Sequence, residues 1–121
     1  MKLIKPAQVP KEVSTHPLFT GGPVTLQPLV TPDMGKNFTA SMVNFSKGAR
    51  NKFHSHTSDQ LLIVTAGKGI VATEQEELVV GAGDIIHVPA GEKHWHGATE
   101  DSEFSHIYLI TSDSRTTQLE E

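Results

Sequence analysis

The sequence contains no cysteine, and this absence excludes two classes of site. Without a thiol the chain has no disulfide framework and no thiolate ligand for a metal ion, although the lack of cysteine does not by itself fix the compartment. Any metal site in this chain must therefore be built without thiolate.

Long apolar runs and an excess of basic residues are also missing. No apolar stretch approaches the ~18 residues that a membrane-spanning helix requires, and residues 1–6 lack the apolar core of a secretory signal. The formal net charge of -4 gives no basic surface of the kind that binds nucleic acid. We therefore expect a cytoplasmic protein that binds neither membranes nor nucleic acid.

The apolar residues show no helical period. Short apolar or alternating segments are instead separated by glycine and proline, which is typical of an all-β sandwich or barrel. Strands are predicted at residues 24–29, 37–45, 61–64, 70–73, 78–80, 85–88 and 104–111, with a turn at 68–69. The 121 residues suit a single domain, 1–121. Within it, residues 1–23 are predicted to form an N-terminal arm and residues 112–121 a loose tail.

Two stretches of the chain have the form His-x-His. The first holds His54 and His56, and the second holds His94 and His96. Because successive side chains of a strand point to opposite faces, the two imidazoles of each pair emerge on one face. Gln60 has the same parity as His54 and follows a predicted turn at residues 57–59. Neutral imidazole is the commonest protein metal ligand, so these residues predict a metal site.

The spacing of these residues resembles the two sequence motifs of the cupin superfamily. The first motif has two glycines around a His-x-His pair and a glutamate, and it is matched by Gly48, His54, His56 and Gly67, with Gln60 in place of the glutamate. The second motif has a Gly, a Pro-x-Gly, a His and an Asn, and it is matched by Gly83, Pro89, Gly91 and His94, with Ala98 in place of the asparagine. The two motifs together cover about half of the chain.

The cupin resemblance implies a jelly-roll β-barrel, made of two antiparallel sheets around a central cavity. It also implies one divalent metal ion held by His54, His56, Gln60 and His94, with manganese favoured and iron, zinc, nickel or cobalt as alternatives. Because Gln60 carries no charge, such an ion would keep its full double charge and be a stronger Lewis acid, though more weakly held. An open coordination position is expected on an octahedral ion.

Several shorter runs, G-A-R, H-x-H, Q-x-L-I-V-T-A-G and G-E-K-H-W-H-G, resemble more particular cupins. They look like the small bacterial manganese-dependent hydroxynitrile lyases, and like the cupins associated with carboxymuconolactone decarboxylase-like proteins. This resemblance implies acid/base chemistry at His106. One departure is Ile110, where the lyases are expected to carry glutamine, and it implies a less polar cavity.

Two further histidines are candidates for proton transfer. His96 has the parity of His94 and so faces the predicted cavity, while His106 shares one face of the last strand with Tyr108 and Ile110. An unligated imidazole beside a dication is a plausible neutral base near pH 7. The alternatives are that His96 orients a metal ligand and that His106 is a core residue.

Three classes of function follow, each with a small molecule as the partner. The first is an enzyme of the hydroxynitrile lyase type, in which the metal polarises a substrate oxygen and His106 or His96 moves a proton. The second is a dioxygenase, and the third is a non-catalytic binding module.

The apolar runs at residues 61–64 and 85–86 are predicted to be buried on both faces. This favours a homodimer, joined by sheet faces or by exchanged N-terminal strands, over covering by the arm alone.

Overall fold

The computed structural model describes residues 1–121 and consists of twelve strands and one 3₁₀ helix, Pro6–Gln8. The strands are β1 (Glu12–Val13), β2 (Phe19–Thr20), β3 (Val24–Val30), β4 (Phe38–Phe45), β5 (Arg50–Asn51), β6 (His54–His56), β7 (Gln60–Ala72), β8 (Glu77–Gly81), β9 (Ile85–Val88), β10 (Trp95–Ala98), β11 (Phe104–Thr111) and β12 (Thr116–Gln118). The all-β prediction is therefore confirmed. None of the helical structure has the length and apolar character needed to cross a bilayer.

All of the paired strands are antiparallel. Ten of them form two curled sheets that share β7, and β6 and β12 form a separate two-stranded sheet. The strands hydrogen-bond in the order β1-β3-β4-β11-β7-β10-β5-β2, and β8 and β9 pair with opposite halves of β7. This arrangement is the predicted jelly-roll barrel. The barrel encloses a cavity that is lined by residues near both ends of the chain, among them Phe19 on β2 and Thr116 on β12.

Strand β7 replaces the two strands predicted at residues 61–64 and 70–73, so the turn predicted at Lys68-Gly69 is wrong. The chain bends there without reversing. Gly67 adopts φ 76°, and a Cβ at this position would lie 1.8 Å from the carbonyl oxygen of Glu103. Only glycine accepts both the positive φ and the close approach. A register shift in β11 between Ser105 and His106 completes the bend.

The hydrophobic core fills the space between the two sheets. Its largest buried side chains are Phe45, Phe104 and Leu62, each no more than 2% exposed. The Phe45 ring lies 5.8 Å from that of Phe104 and 5.6 Å from that of His106. The core therefore extends directly up to the histidines of the cavity and holds His106 against packed rings.

The two ends of the chain both pack on the barrel. In the N-terminal arm, β1 pairs with β3, and the Gln27 amide donates to the carbonyls of Pro6 and Val9 at 2.8 and 2.9 Å. The prediction of a loose tail is wrong for its second half, because β12 pairs with β6. The tail is polar and has no apolar pattern, so its order comes from backbone hydrogen bonds that the composition does not reveal.

Candidate metal centre

Three histidines meet where β6 passes the residue before β10. His54 and His94 form an isolated antiparallel bridge, in which each backbone N–H donates to the other residue's carbonyl, at 2.9 and 3.0 Å. The bridge brings the two imidazole centroids to 4.3 Å. His56 lies two residues further along β6 and, by the alternation of the strand, on the same face. One ring nitrogen from each of the three histidines lies within 4.8 Å of the others.

Each of the three imidazoles is held at Nδ1 by a hydrogen-bond partner. The Nδ1 atoms of His54 and His94 lie 2.7 and 2.9 Å from the carbonyls of Lys52 and Glu92. Because a carbonyl only accepts, the hydrogen of each neutral ring is on Nδ1, and the lone pair is on Nε2. The Nδ1 atom of His56 lies 2.8 Å from the hydroxyl of Thr116. Such outer contacts orient the ligands of metal sites.

The opposite atoms of these side chains are buried and lack partners. His56 Nε2, His94 Nε2 and Gln60 Oε1 are inaccessible to solvent and accept no hydrogen bond. A buried polar atom without a hydrogen-bond partner destabilises the fold by about 1–3 kcal/mol. Three such atoms at one place therefore destabilise it considerably. A divalent cation would satisfy all of them, and imidazole nitrogen with amide oxygen suits such an ion. The residues present therefore fit the implied metal.

The imidazoles of the cluster are neutral at pH 7. Burial, together with the neighbouring His94, lowers the pKa of His54 to about 3 and that of His56 to about 4. Burial likewise lowers the pKa of His94. Because a metal binds only the unprotonated imidazole nitrogen, these lowered pKa values leave the ligand atoms available without loss of a proton.

His96 and His106 form a separate buried pair. Their side chains are 4% and 0% exposed, and His106 Nε2 lies 3.2 Å from His96 Nδ1. Burial lowers the pKa of His106 to about 4, and burial with the neighbouring His106 lowers that of His96 well below its usual value. Both rings are thus neutral, and one of the two facing nitrogens donates its hydrogen to the other.

Asn51 belongs to this pair and was missed by the sequence reasoning. The side-chain oxygen Oδ1 of Asn51 accepts a hydrogen bond from the backbone N–H of His96 at 2.8 Å. This contact turns the side-chain nitrogen Nδ2 toward the His96 ring, where it lies 3.1 Å from Nε2. Asn51 is 3% exposed. It lies on β5, at a position between Gly48 and His54 that the first motif leaves unspecified, so only the three-dimensional structure shows the contact.

A cavity of about 420 Å³ adjoins the cluster. Its apolar lining includes Leu26, Val43, Tyr108 and Ile110. Its histidine and amide lining consists of His16, Asn51, His54, His56, Gln60, His96, His106 and Gln118. His94 is the one predicted ligand that does not line it. Residues from the two chain ends, among them Phe19, Ser114 and Thr116, complete the wall. The hydroxyl of Ser114 is buried without a partner, so the wall offers a polar contact in a mostly apolar space.

The remaining two histidines are not members of the cluster. His16 is exposed in the arm, where its Nδ1 accepts from the backbone N–H of Leu18 at 3.0 Å. His87 is exposed on the outer surface, with Nε2 3.1 Å from Asp59. Neither belongs to the cluster of three ligand nitrogens, although His16 also lines the cavity.

Comparison with known proteins identifies related sequences. The family model described as "Cupin domain" matches residues 41–110. An (R)-mandelonitrile lyase of Granulicella tundricola is 36% identical over 92 residues, which cover 75% of this chain and 70% of that protein. An acireductone dioxygenase of Picosynechococcus is 30% identical over 107 residues, 77% of this chain and 60% of that protein. The chain spans less than two thirds of the dioxygenases that it matches.

Solved structures share the same architecture. A cupin-like protein from Thermotoga maritima superposes with a TM-score of 0.84 at 34% identity, over 90% of this chain and 84% of that one. A polyketide cyclase from Streptomyces resistomycificus superposes with a TM-score of 0.87 at 19% identity, over 98% and 85% of the two chains. At that low identity the second likeness concerns the fold alone.

Proposed function

Because the chain belongs to the cupin superfamily, we propose that it is a metal-dependent enzyme with one divalent ion at His54, His56, Gln60 and His94. The observation that supports this most is the group of buried, partnerless ligand atoms beside the cavity. A small organic molecule is the substrate, since the cavity of about 420 Å³ has the size of a small-molecule site and combines apolar walls with hydroxyl, amide and imidazole groups. Manganese is our proposed ion because of the resemblance to the manganese-dependent hydroxynitrile lyases, and three imidazoles with an amide oxygen also suit iron, zinc, nickel or cobalt.

The metal and the protein have separate tasks in the proposed reaction. A divalent ion supplies Lewis acidity, which polarises a carbonyl or acidifies a hydroxyl of the substrate. The protein excludes water with the apolar side chains of the cavity and orients the substrate through the Ser114 hydroxyl. The His96–His106 pair takes up and returns the proton that is transferred. One hydrogen already lies between His106 Nε2 and His96 Nδ1, which are 3.2 Å apart, so the added proton goes to an outer ring nitrogen of the pair.

Cleavage of a hydroxynitrile is the reaction that we propose for this site. The hydroxyl proton passes to the His96–His106 pair, the carbon–oxygen bond becomes a carbonyl, and the bond to the nitrile carbon breaks. Its electron pair leaves with cyanide, which then takes the proton back from the pair, so that an aldehyde and hydrogen cyanide result. The similarity to an (R)-mandelonitrile lyase over 75% of the chain supports this choice.

The test is cyanide release from mandelonitrile by untagged protein loaded with Mn²⁺. Release that depends on the ion is the expected result, with chelator-treated protein as the control. A rate that is the same with and without metal would exclude the proposed lyase.

A dioxygenase is the second candidate, because acireductone dioxygenases are among the relatives. The uncharged ligand Gln60 argues against it, since a carboxylate helps to stabilise higher oxidation states of a metal. Oxygen uptake with an acireductone separates the two candidates. Oxygen consumption without cyanide release would favour the dioxygenase, and neither activity would favour a non-catalytic binding module.

We predict that Gln60→Glu raises metal affinity while it lowers the rate of cyanide release. The carboxylate adds a negative charge to a site whose protein ligands are neutral, so affinity should rise by at least about tenfold, or about 1.4 kcal/mol. The same charge reduces the Lewis acidity of the ion. Chelator competition and initial rates measure the two effects. Gln75→Glu is the control, because Gln75 is exposed in the turn between β7 and β8, and the same added charge there should leave affinity nearly unchanged.

We also propose that two copies of the chain associate through the outer face of the β9-β7-β11-β4 sheet. The prediction that residues 61–64 and 85–86 are buried on both faces is not met within one chain, because Leu61 and Ile63 are half-buried and Ile85 is 64% exposed. An apolar row crosses this face in register, consisting of Ile85, Ile63, Ile107 and Met42. The arm covers Gln27 instead of the row, and a second copy offers an equally apolar surface.

Ile85→Asp is therefore expected to convert a dimer into a monomer. The side chain is already exposed in one chain, so the charge should weaken association without unfolding the barrel. Light scattering during gel filtration measures the mass. Val79→Asp is the control, because Val79 is 69% exposed on β8, outside the row. A wild-type protein that elutes as a monomer would contradict the proposed association.

A further inference from the structure

The C-terminal segment, residues 112–121, contacts a predicted metal ligand directly. We call this segment the C-terminal clasp. Its strand β12 pairs with β6, so that Thr116 lies opposite His56 and Gln118 opposite His54. The Thr116 hydroxyl lies 2.8 Å from His56 Nδ1. The clasp therefore reaches the outer side of the ring whose inner atom, Nε2, is buried without a partner.

His56 depends on this contact in a way that the other two imidazoles do not. His54 and His94 are each held by a carbonyl two residues earlier in their own segment, so their orientation is built into the local chain. The partner of His56 lies 60 residues away. A hydroxyl can either donate or accept, and so it does not by itself decide which nitrogen of His56 carries the hydrogen. A cation at Nε2 would decide this, because Nδ1 must then donate to Thr116.

The clasp is attached to the barrel mainly by a few hydrogen bonds at its ends. The Glu120 carboxylate pairs with Arg50 at 2.5 Å and accepts from the backbone N–H of Phe53 at 2.8 Å. The N–H of Leu119 donates to Phe53, and Arg115 exchanges two hydrogen bonds with Thr57. Strand β12 itself is exposed and contributes nothing to the hydrophobic core. A segment with so little buried apolar surface opens at low free-energy cost.

We propose that Thr116 is a positioning residue for the metal, and that docking of the C-terminal clasp and metal binding are thermodynamically coupled. This inference rests on the proposed metal site. If the docked clasp favours the metal-binding form of His56, then by reciprocity a bound ion favours the docked clasp by the same factor. Contacts that lie outside the ligand set thereby change metal affinity.

The test compares Co²⁺ affinity in Thr116→Val and Thr117→Val by chelator competition. Loss of an outer contact to a metal-ligating histidine lowers affinity by roughly 10–100-fold, and we expect this for Thr116→Val. Thr117 is its neighbour on the same strand and pairs with Ser55, so Thr117→Val should change affinity by less than about twofold. Thr116→Ser keeps the hydroxyl and should restore most of the affinity.

Hydrogen exchange of residues 112–121 provides the reciprocal measurement. Co²⁺ should slow exchange in the wild-type clasp, and Glu120→Gln, which weakens the clasp without touching Thr116, should lower Co²⁺ affinity relative to Glu121→Gln. Equal affinities for Thr116→Val, Thr117→Val and the wild type would overturn the coupling while leaving the metal site intact. An equal loss in both valine variants would also overturn it, and a wild type that binds no Co²⁺ would overturn the metal site as well.

Discussion

His94→Ala is expected to remove the bound metal and leave the barrel folded. The variant deletes one of three imidazoles but no side chain of the cavity lining or of the hydrophobic core. If a total of about 10–16 kcal/mol is spread over four ligands, each contributes about 3 kcal/mol, or roughly a 100-fold change in affinity. Metal content after dialysis should fall from one ion per chain to nearly none.

His87→Ala is the matched control for this loss. His87 is an exposed histidine on β9, so its removal changes the number of imidazoles without changing the centre. It should retain the metal content of the wild type. Full retention of the ion by His94→Ala would contradict the proposed ligand set, and circular dichroism of both variants separates loss of metal from loss of fold.

The second large effect is expected for His106→Asn, which should lose activity but keep the metal. His106 is fully buried, and its Nε2 contacts only His96 among the ring nitrogens. Removal of a group that transfers protons typically lowers a rate by about 10²–10⁴-fold. When both are measured on one sample of His106→Asn, the rate of cyanide release should therefore fall while the metal content stays at the wild-type value.

Tyr108→Phe is the control on the same strand. Tyr108 lines the same cavity and has the same strand parity as His106, and the substitution removes one hydroxyl while keeping the ring. Its rate should stay within about tenfold of the wild type. A His106→Asn rate that is no lower than that of Tyr108→Phe would show that His106 is only a packed core residue, which is the alternative that the sequence leaves open.

The sequence predicts most of the fold because local patterns determine it. Alternating or apolar segments separated by glycine and proline predict five strands that the structure confirms, with small shifts at their ends. These strands are predicted at residues 24–29, 37–45, 78–80, 85–88 and 104–111. The turn at residues 68–69 is wrong because Gly67 bends β7 around the carbonyl of Glu103. That close approach involves a residue 36 positions away, which no local pattern reports.

The residues of the candidate site likewise divide into those that local patterns predict and those that only long-range contacts reveal. The spacing of His54, His56, Gln60 and His94 predicts one ligand set, because strand alternation and the two motifs are local features, and the structure brings a ring nitrogen of each of the three histidines within 4.8 Å of the others. Asn51 and Thr116 are absent from the sequence reasoning because their contacts with His96 and His56 span 45 and 60 residues. The polar composition of the tail, which led to the prediction of a loose segment, hides the strand that carries Thr116.

An anomalous-diffraction map from crystals grown with Co²⁺ would test the metal centre most directly. We predict one strong peak per chain, at about 2.0–2.2 Å from Nε2 of His54, His56 and His94 and close to Oε1 of Gln60. A map with no peak among these four side chains, or with its only peak at exposed His16 or His87, would contradict the assignment of this cluster as the site of the ion.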